Sequence, residues 1–179
     1  YAFSTENWKR SDEEVKGIMD LLREYLKNYI DRAKKDNVRV HIIGDVTRLD
    51  EDIQQQIVEL EQLTKHKTGM SLHIALNYGG RDELLRAIRK VSEDVAKGKY
   101  QPEEIGEEQL EQYLDTKEIP DPELLIRTSG EERISNFLLW QIAYTELSFT
   151  EKLWPDFTEQ DLKQAIYQYQ NRERRFGGR

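Results

Sequence analysis

Short apolar runs alternate along this chain with amphipathic stretches of helical period, and this alternation restricts the fold more than any other feature. The runs cover residues 1–4, 38–43, 72–77, 124–128 and 147–150. The longest stretch between them places Val15, Ile18, Met19, Leu22, Tyr25, Leu26, Tyr29, Ile30 and Ala33 on one face. Others carry Ile53, Ile57, Leu60 and Leu63, then Leu84, Leu85, Ile88, Val91 and Val95. The last, after Thr158, carries Leu162, Ala165, Ile166 and Tyr169. Strands that alternate with helices pair in parallel, because each connection crosses back over a sheet face. The expectation is an α/β fold, a mostly parallel central sheet flanked by helices, as a single domain over residues 1–179.

Charge and composition exclude several function classes. A net charge of −8 argues against non-specific nucleic-acid binding, which rests on neutralising phosphates with Lys and Arg. The chain has no cysteine, so disulfides, thiolate catalysis and Cys-ligated zinc are ruled out. His41, His66 and His73 have no metal-ligand spacing. No apolar run approaches the roughly 20 residues that span a bilayer. The opening Tyr1-Ala2-Phe3-Ser4 reads like the end of a buried strand, so the expectation is that further residues precede it.

In open parallel sheets, ligands bind beyond the C-terminal ends of the strands, and the polar motifs fall there. Ser4-Thr5-Glu6-Asn7-Trp8-Lys9-Arg10 follows the first run. It can bind an anion, or it can simply cap a helix. In Asn77-Tyr78-Gly79-Gly80-Arg81 the glycine pair lets backbone amides approach a phosphate, or makes a plain turn. Arg127, a Gly turn, Arg133 and Ser135 read as a diphosphate clamp, since the planar guanidinium fork binds two oxygens at once. The competing reading is an ion-pair network with Glu131 and Glu132. Glu146 is a lone carboxylate in an apolar stretch, either a Mg²⁺ ligand beside substrate phosphates or a boundary residue. The tail from Asn171 to Arg179 is basic against an acidic background.

Together these motifs resemble the cis-prenyltransferase family, of the bacterial undecaprenyl diphosphate synthase type. The resemblance rests on Tyr1-Ala2-Phe3-Ser4-Thr5-Glu6-Asn7-Trp8, Ala75-Leu76-Asn77-Tyr78-Gly79-Gly80-Arg81, Ile126-Arg127-Thr128-Ser129-Gly130-Glu131, Arg133-Ile134-Ser135-Asn136-Phe137-Leu138-Leu139-Trp140-Gln141 and Arg174-Arg175-Phe176-Gly177-Gly178. It implies that Asn7 assists catalysis and that Ser4, Thr5, Glu6, Trp8 and Arg10 form the allylic substrate site. Arg127, Arg133, Ile134 and Ser135 are then implied to bind isopentenyl diphosphate, and Glu146 to hold Mg²⁺. A hydrophobic tunnel would take the growing chain, with Phe3 along it and Met70 at its closed end. Arg175 and Gly177 would reach the site of a homodimer partner.

The implied reaction is repeated condensation of isopentenyl diphosphate onto farnesyl diphosphate, giving undecaprenyl diphosphate. The implied location is the cytoplasm, with peripheral contact at the inner membrane face for product release. The family's Asp-Gly-Asn-Gly-Arg-Trp motif lies upstream of the region matching Tyr1. A chain truly beginning at Tyr1 would lack that motif and the strand before it, and is expected to be inactive. Ser11 stands where relatives have Pro, and Glu132 where many have His. The alternative is a non-catalytic scaffold subunit of a cis-prenyltransferase complex, although Asn7, Arg127, Arg133, Ser135 and Glu146 are all present.

Overall fold

Strand β1 (Val38–Ile43) pairs in parallel with β2 (Met70–Ala75), in register from Val38↔Met70 to Ile43↔Ala75. β3 (Leu124–Arg127) pairs in parallel with β4 (Glu146–Phe149), from Leu124↔Glu146 to Arg127↔Phe149. The computed structural model describes residues 1–33 and 35–173. The first pair belongs to a unit spanning Tyr1–Lys117, the second to a unit from Glu118 onward. Parallel pairing in both is the α/β arrangement expected from the alternation of runs.

In the first unit, residues 1–4 form a single parallel bridge, Ser4↔Tyr78, not a full strand. The Ala2 and Phe3 amides donate to the Ala75 carbonyl at 3.0 and 3.2 Å, and the Thr5 amide donates to the Tyr78 carbonyl at 2.9 Å. The N-terminal motif therefore lies alongside the exit of β2. That strand starts and ends two residues earlier than the apolar run suggests. It stops because Asn77 turns into the left-handed region, with φ 45°.

Helix α1 (Asp12–Ala33) opens on Asp12, Glu13 and Glu14, which suit the positive end of its dipole. It buries Met19, Leu26, Ile30 and Ala33. Tyr25, expected on the same face, is 67% exposed, because its position falls outside the i, i+4, i+7 stripe that these residues define. Helix α2 (Glu51–Thr64) adds Ile53, Ile57 and Leu60 to a core shared with Phe3, Val40, Ile42 and Leu76. It also covers the open edge of β1: the Val40 amide donates to Thr64 Oγ1 at 3.1 Å, and the Ile42 amide to Glu61 Oε1 at 2.8 Å. In helix α3 (Gly80–Ala96) the buried stripe is Gly80, Glu83, Ala87 and Val91. Leu85 and Ile88, expected to be inside, point away from that stripe and are exposed. A short helix, α4 (Glu107–Glu111), follows.

In the second unit, α5 (Glu159–Gln170) starts at a capping box in which Thr158 and Asp161 bond reciprocally. Among its residues Ala165 is buried, whereas Leu162 and Ile166, expected in the core, are 41% and 40% exposed. No helix among the described residues is long and apolar enough to cross a membrane.

Candidate functional site

In the first unit the site residues gather where β1 and β2 end. Thr5–Lys9 forms a 3₁₀ turn. Asn7 Oδ1 accepts from the Ser4 amide at 2.7 Å and from Ser4 Oγ at 3.0 Å. The side-chain NH₂ of Asn7 has no hydrogen bond among the described residues. Capping and ligand binding are thus compatible, since the cap uses the oxygen and leaves the donors. Trp8 packs edge-on against Phe3 at 5.3 Å, and the guanidinium of Arg48 lies 5.4 Å from its ring centre. Trp8 Nε1 donates to Asn77 Oδ1 at 2.6 Å. Arg10 pairs loosely with Glu14 at 3.5 Å, with both side chains more than half exposed. The Tyr1 hydroxyl donates to the Tyr78 carbonyl at 3.0 Å, and burial pushes its pKa up to about 12.

Beneath this surface lies a buried polar chain. Tyr78, fully buried, donates from its hydroxyl to Glu83 Oε2 at 2.6 Å. Glu83 Oε1 accepts from the Asp115 amide at 2.9 Å, and Asp115 Oδ2 accepts from the Gly44 amide at 3.1 Å. Arg86 grips Asp115 with two bonds, of 2.7 and 2.6 Å. That carboxylate, helped by Asp82, raises the guanidinium pKa above its ordinary value. Gly44 needs its missing side chain: its φ is +117°, and a Cβ there would lie 2.0 Å from the Leu76 carbonyl oxygen.

In the second unit Arg127 ends β3. Its Nη1 donates to the Arg133 carbonyl and to Ser135 Oγ, the latter at 2.9 Å. Its Nε and Nη2 have no hydrogen bond among the described residues, so one edge of the fork is left for an anion. Ser129, Ser135, Asn136 and Leu138 all have positive φ. Each such residue costs about 1–3 kcal/mol, and this kind of strain gathers at binding sites. The turn is fastened by the Ser129 and Gly130 amides, which donate to the Lys152 and Thr150 carbonyls at 2.7 and 2.9 Å. Arg133 pairs with Glu131, an ion pair of the kind the competing reading expects. Ile134 is 37% exposed at the same turn. Glu146 opens β4, and its Oε2 accepts from Arg172 at 2.6 Å. Its Oε1 has no hydrogen bond among the described residues.

The profile of the undecaprenyl diphosphate synthase family of prenyltransferases matches residues 1–177. The chain belongs to this family. It is 52% identical to an isoprenyl transferase of Clostridium perfringens (strain 13 / Type A) over 178 residues, which are 99% of this chain and 70% of the relative. It is 49% identical to a ditrans,polycis-undecaprenyl-diphosphate synthase, (2E,6E)-farnesyl-diphosphate specific, of Salmonella paratyphi A (strain ATCC 9150 / SARB42), covering 99% of this chain and 71% of the relative. Among solved structures it superposes on lavandulyl diphosphate synthase from Lavandula x intermedia in complex with dimethylallyl diphosphate, with TM-score 0.94 and 39% identity, covering 98% of this chain and 76% of that one. A probable undecaprenyl diphosphate synthase from Campylobacter jejuni matches with TM-score 0.88 and 40% identity, covering 98% and 80%.

In this undecaprenyl diphosphate synthase family member the expected allylic residues Ser4, Thr5, Glu6, Asn7, Trp8 and Arg10 share one turn and its flanks. Arg127, Arg133, Ile134 and Ser135 share another turn. Phe3 is 2% exposed within the core, whereas Met70 is 62% exposed at the opposite end of β2 from Asn77. Arg175 and Gly177 lie outside the described residues. Among the described residues no group of three or more His, Asp or Glu could hold a metal. Glu146 alone still fits a Mg²⁺ site of the type that uses one carboxylate and substrate phosphates. Sequence reasoning left out Glu83 and Asp115, and named Asn77 and Arg172 only as members of longer motifs, with no role for their side chains. Most of their bonds join residues 26 or more apart and produce no periodic signal, as in Asn77–Trp8, Glu83–Asp115 and Arg172–Glu146.

Proposed function

We propose that this chain, a cis-prenyltransferase, condenses isopentenyl diphosphate repeatedly onto an allylic diphosphate, farnesyl diphosphate first, and so makes undecaprenyl diphosphate. The family match over residues 1–177 carries this reading. The half-open guanidinium of Arg127 supports it, because a bidentate edge beside a serine hydroxyl is suited to a diphosphate. In each addition, the double-bond carbon of isopentenyl diphosphate attacks the allylic carbon. Diphosphate leaves, and a proton is lost to form the new cis double bond.

Arg127, Arg133, Ile134 and Ser135 bind the isopentenyl diphosphate. Ser4, Thr5, Glu6, Trp8 and Arg10 hold the allylic diphosphate. Asn7, with its NH₂ left over from the cap, donates to the departing oxygen, where negative charge develops. Mg²⁺, held by Glu146 and the diphosphates, supplies charge neutralisation when bound. The growing chain runs into an apolar tunnel past Phe3 toward Met70. Each added isoprene unit buries five carbons, worth up to roughly 4 kcal/mol. The protein acts as a homodimer whose Arg175 and Gly177 complete the partner's site. It works in the cytoplasm and touches the membrane surface to release product.

The test is incorporation of labelled isopentenyl diphosphate by the full-length protein, primed with farnesyl diphosphate, with and without Mg²⁺. Polyprenyl product that requires both farnesyl diphosphate and Mg²⁺ is expected. No incorporation by a folded protein under any metal condition would overturn the assignment.

A further inference from the structure

Asn77 follows β2, is 1% exposed, and has φ 45°. Glycine would take this left-handed backbone without strain, so an asparagine here points to work done by its side chain. Both ends of that side chain are engaged. Oδ1 accepts from Trp8 Nε1 at 2.6 Å, and Nδ2 donates to the Asp45 carbonyl at 2.6 Å. The Asn77 carbonyl also accepts from the Asp45 amide at 3.3 Å. One buried amide therefore joins the N-terminal motif to the loop that leaves β1. That loop in turn carries Arg48, whose guanidinium lies over Trp8. Trp8 and Asn7 share the Thr5–Lys9 turn, so a displacement of the indole carries Asn7 with it.

We propose that Asn77 is a positioning residue for the allylic side of prenyl transfer: it fixes Trp8 and, through the Thr5–Lys9 turn, the Asn7 donors. This rests on the functional reading above. Asn77 need not touch substrate, since it acts through Trp8. The residues assigned to isopentenyl diphosphate take no part in this linkage.

The experiment compares Asn77→Gly, Trp8→Phe and the double variant in the full-length protein. Asn77→Gly keeps the backbone conformation and deletes the bridge, whereas Trp8→Phe keeps a ring and deletes the indole donor. Each should raise the KM for farnesyl diphosphate about tenfold, the scale of one buried hydrogen bond. The KM for isopentenyl diphosphate should stay within about twofold, and the double variant should be no worse than the worse single one. The Trp8 indole N–H proton resonance, assigned by its loss in Trp8→Phe, should move upfield in Asn77→Gly. A variant with lower turnover but an unchanged farnesyl diphosphate KM would show that Asn77 only supports the fold, and the proposal would fail. Additive effects in the double variant would also overturn it. If the wild-type protein incorporates nothing, the prenyl-transfer reading falls by itself. The indole resonance then decides the linkage, which stands if the signal moves in Asn77→Gly and falls if it does not.

Discussion

Removing a single hydroxyl, in Tyr78→Phe, should lower the thermal midpoint of unfolding by about 4–8 °C. The phenol is fully buried and its bond to Glu83 is 2.6 Å long. Glu83 is itself 1% exposed, so this carboxylate has almost no access to bulk water. A hydrogen bond to a charged group contributes about 1.5–3 kcal/mol, and the lower half of that range applies because Glu83 keeps the Asp115 amide as a donor. Phenylalanine fills the same space, so the cavity term is negligible and about 2 kcal/mol is the expected loss. Circular dichroism during heating reads the midpoint. Tyr113→Phe is the control, because its hydroxyl makes a similar 2.5 Å bond to Asp94 near the surface, where water can replace it. The control should move the midpoint by no more than about 1 °C. Equal shifts in the two variants would mean that burial adds nothing to the Tyr78–Glu83 bond, and the reasoning from the buried chain would be wrong.

Arg127→Lys keeps the charge but loses the fork; steady-state kinetics should show about a tenfold or greater loss in kcat/KM for isopentenyl diphosphate with unchanged circular dichroism. Glu146→Gln should raise the Mg²⁺ concentration for half-maximal activity, and a superimposable Mg²⁺ titration would make Glu146 structural. Gly44→Ala forces a Cβ against the Leu76 carbonyl at a φ of +117°, so urea unfolding should show a loss of about 3 kcal/mol or more, or no folded protein. His73 has its pKa lowered from 6.5 by burial and by nearby His41 and Arg39, with His41 itself bonded to Glu61. The unfolded chain therefore takes up that proton first: stability should be level above about pH 6.5 and fall as pH drops below it. His73→Phe should flatten that fall, and an unchanged slope would remove His73 as its cause.

Apolar runs were legible wherever packing alone decides the structure. The run over Val38–Ile43 is the strand found, because each residue has a neighbour in β2 and Val40, Ile42 and Ile43 are buried. β2 was displaced because Ser71 and Met70, though exposed, pair with Arg39 and Val38, while beyond a last amide bond from Leu76 to the Ile43 carbonyl the chain turns at Asn77. Helix faces were harder. Leu85, Ile88, Leu162 and Ile166 fit an apolar pattern, yet Glu83 occupies the inside of α3, stabilised by Tyr78 and the Asp115 amide. Motif order identified Arg127 and Ser135 as neighbours, since they flank one turn. The Trp8–Asn77 bond links residues 69 apart and has no counterpart in any local pattern.

The covering of β1 by Thr64 and Glu61 matters beyond the native state. A parallel strand with unpaired amides is a template on which another chain can grow by strand addition. Here the amides of Val40 and Ile42 are already bonded to side chains of a helix, not to water. A visiting strand must first displace Thr64 and Glu61, and with them the docking of α2. Before α2 docks during folding, the same edge is bare. Variants that weaken α2, such as Leu60→Ala in its fully buried position, are therefore expected to aggregate during refolding well before they unfold at equilibrium.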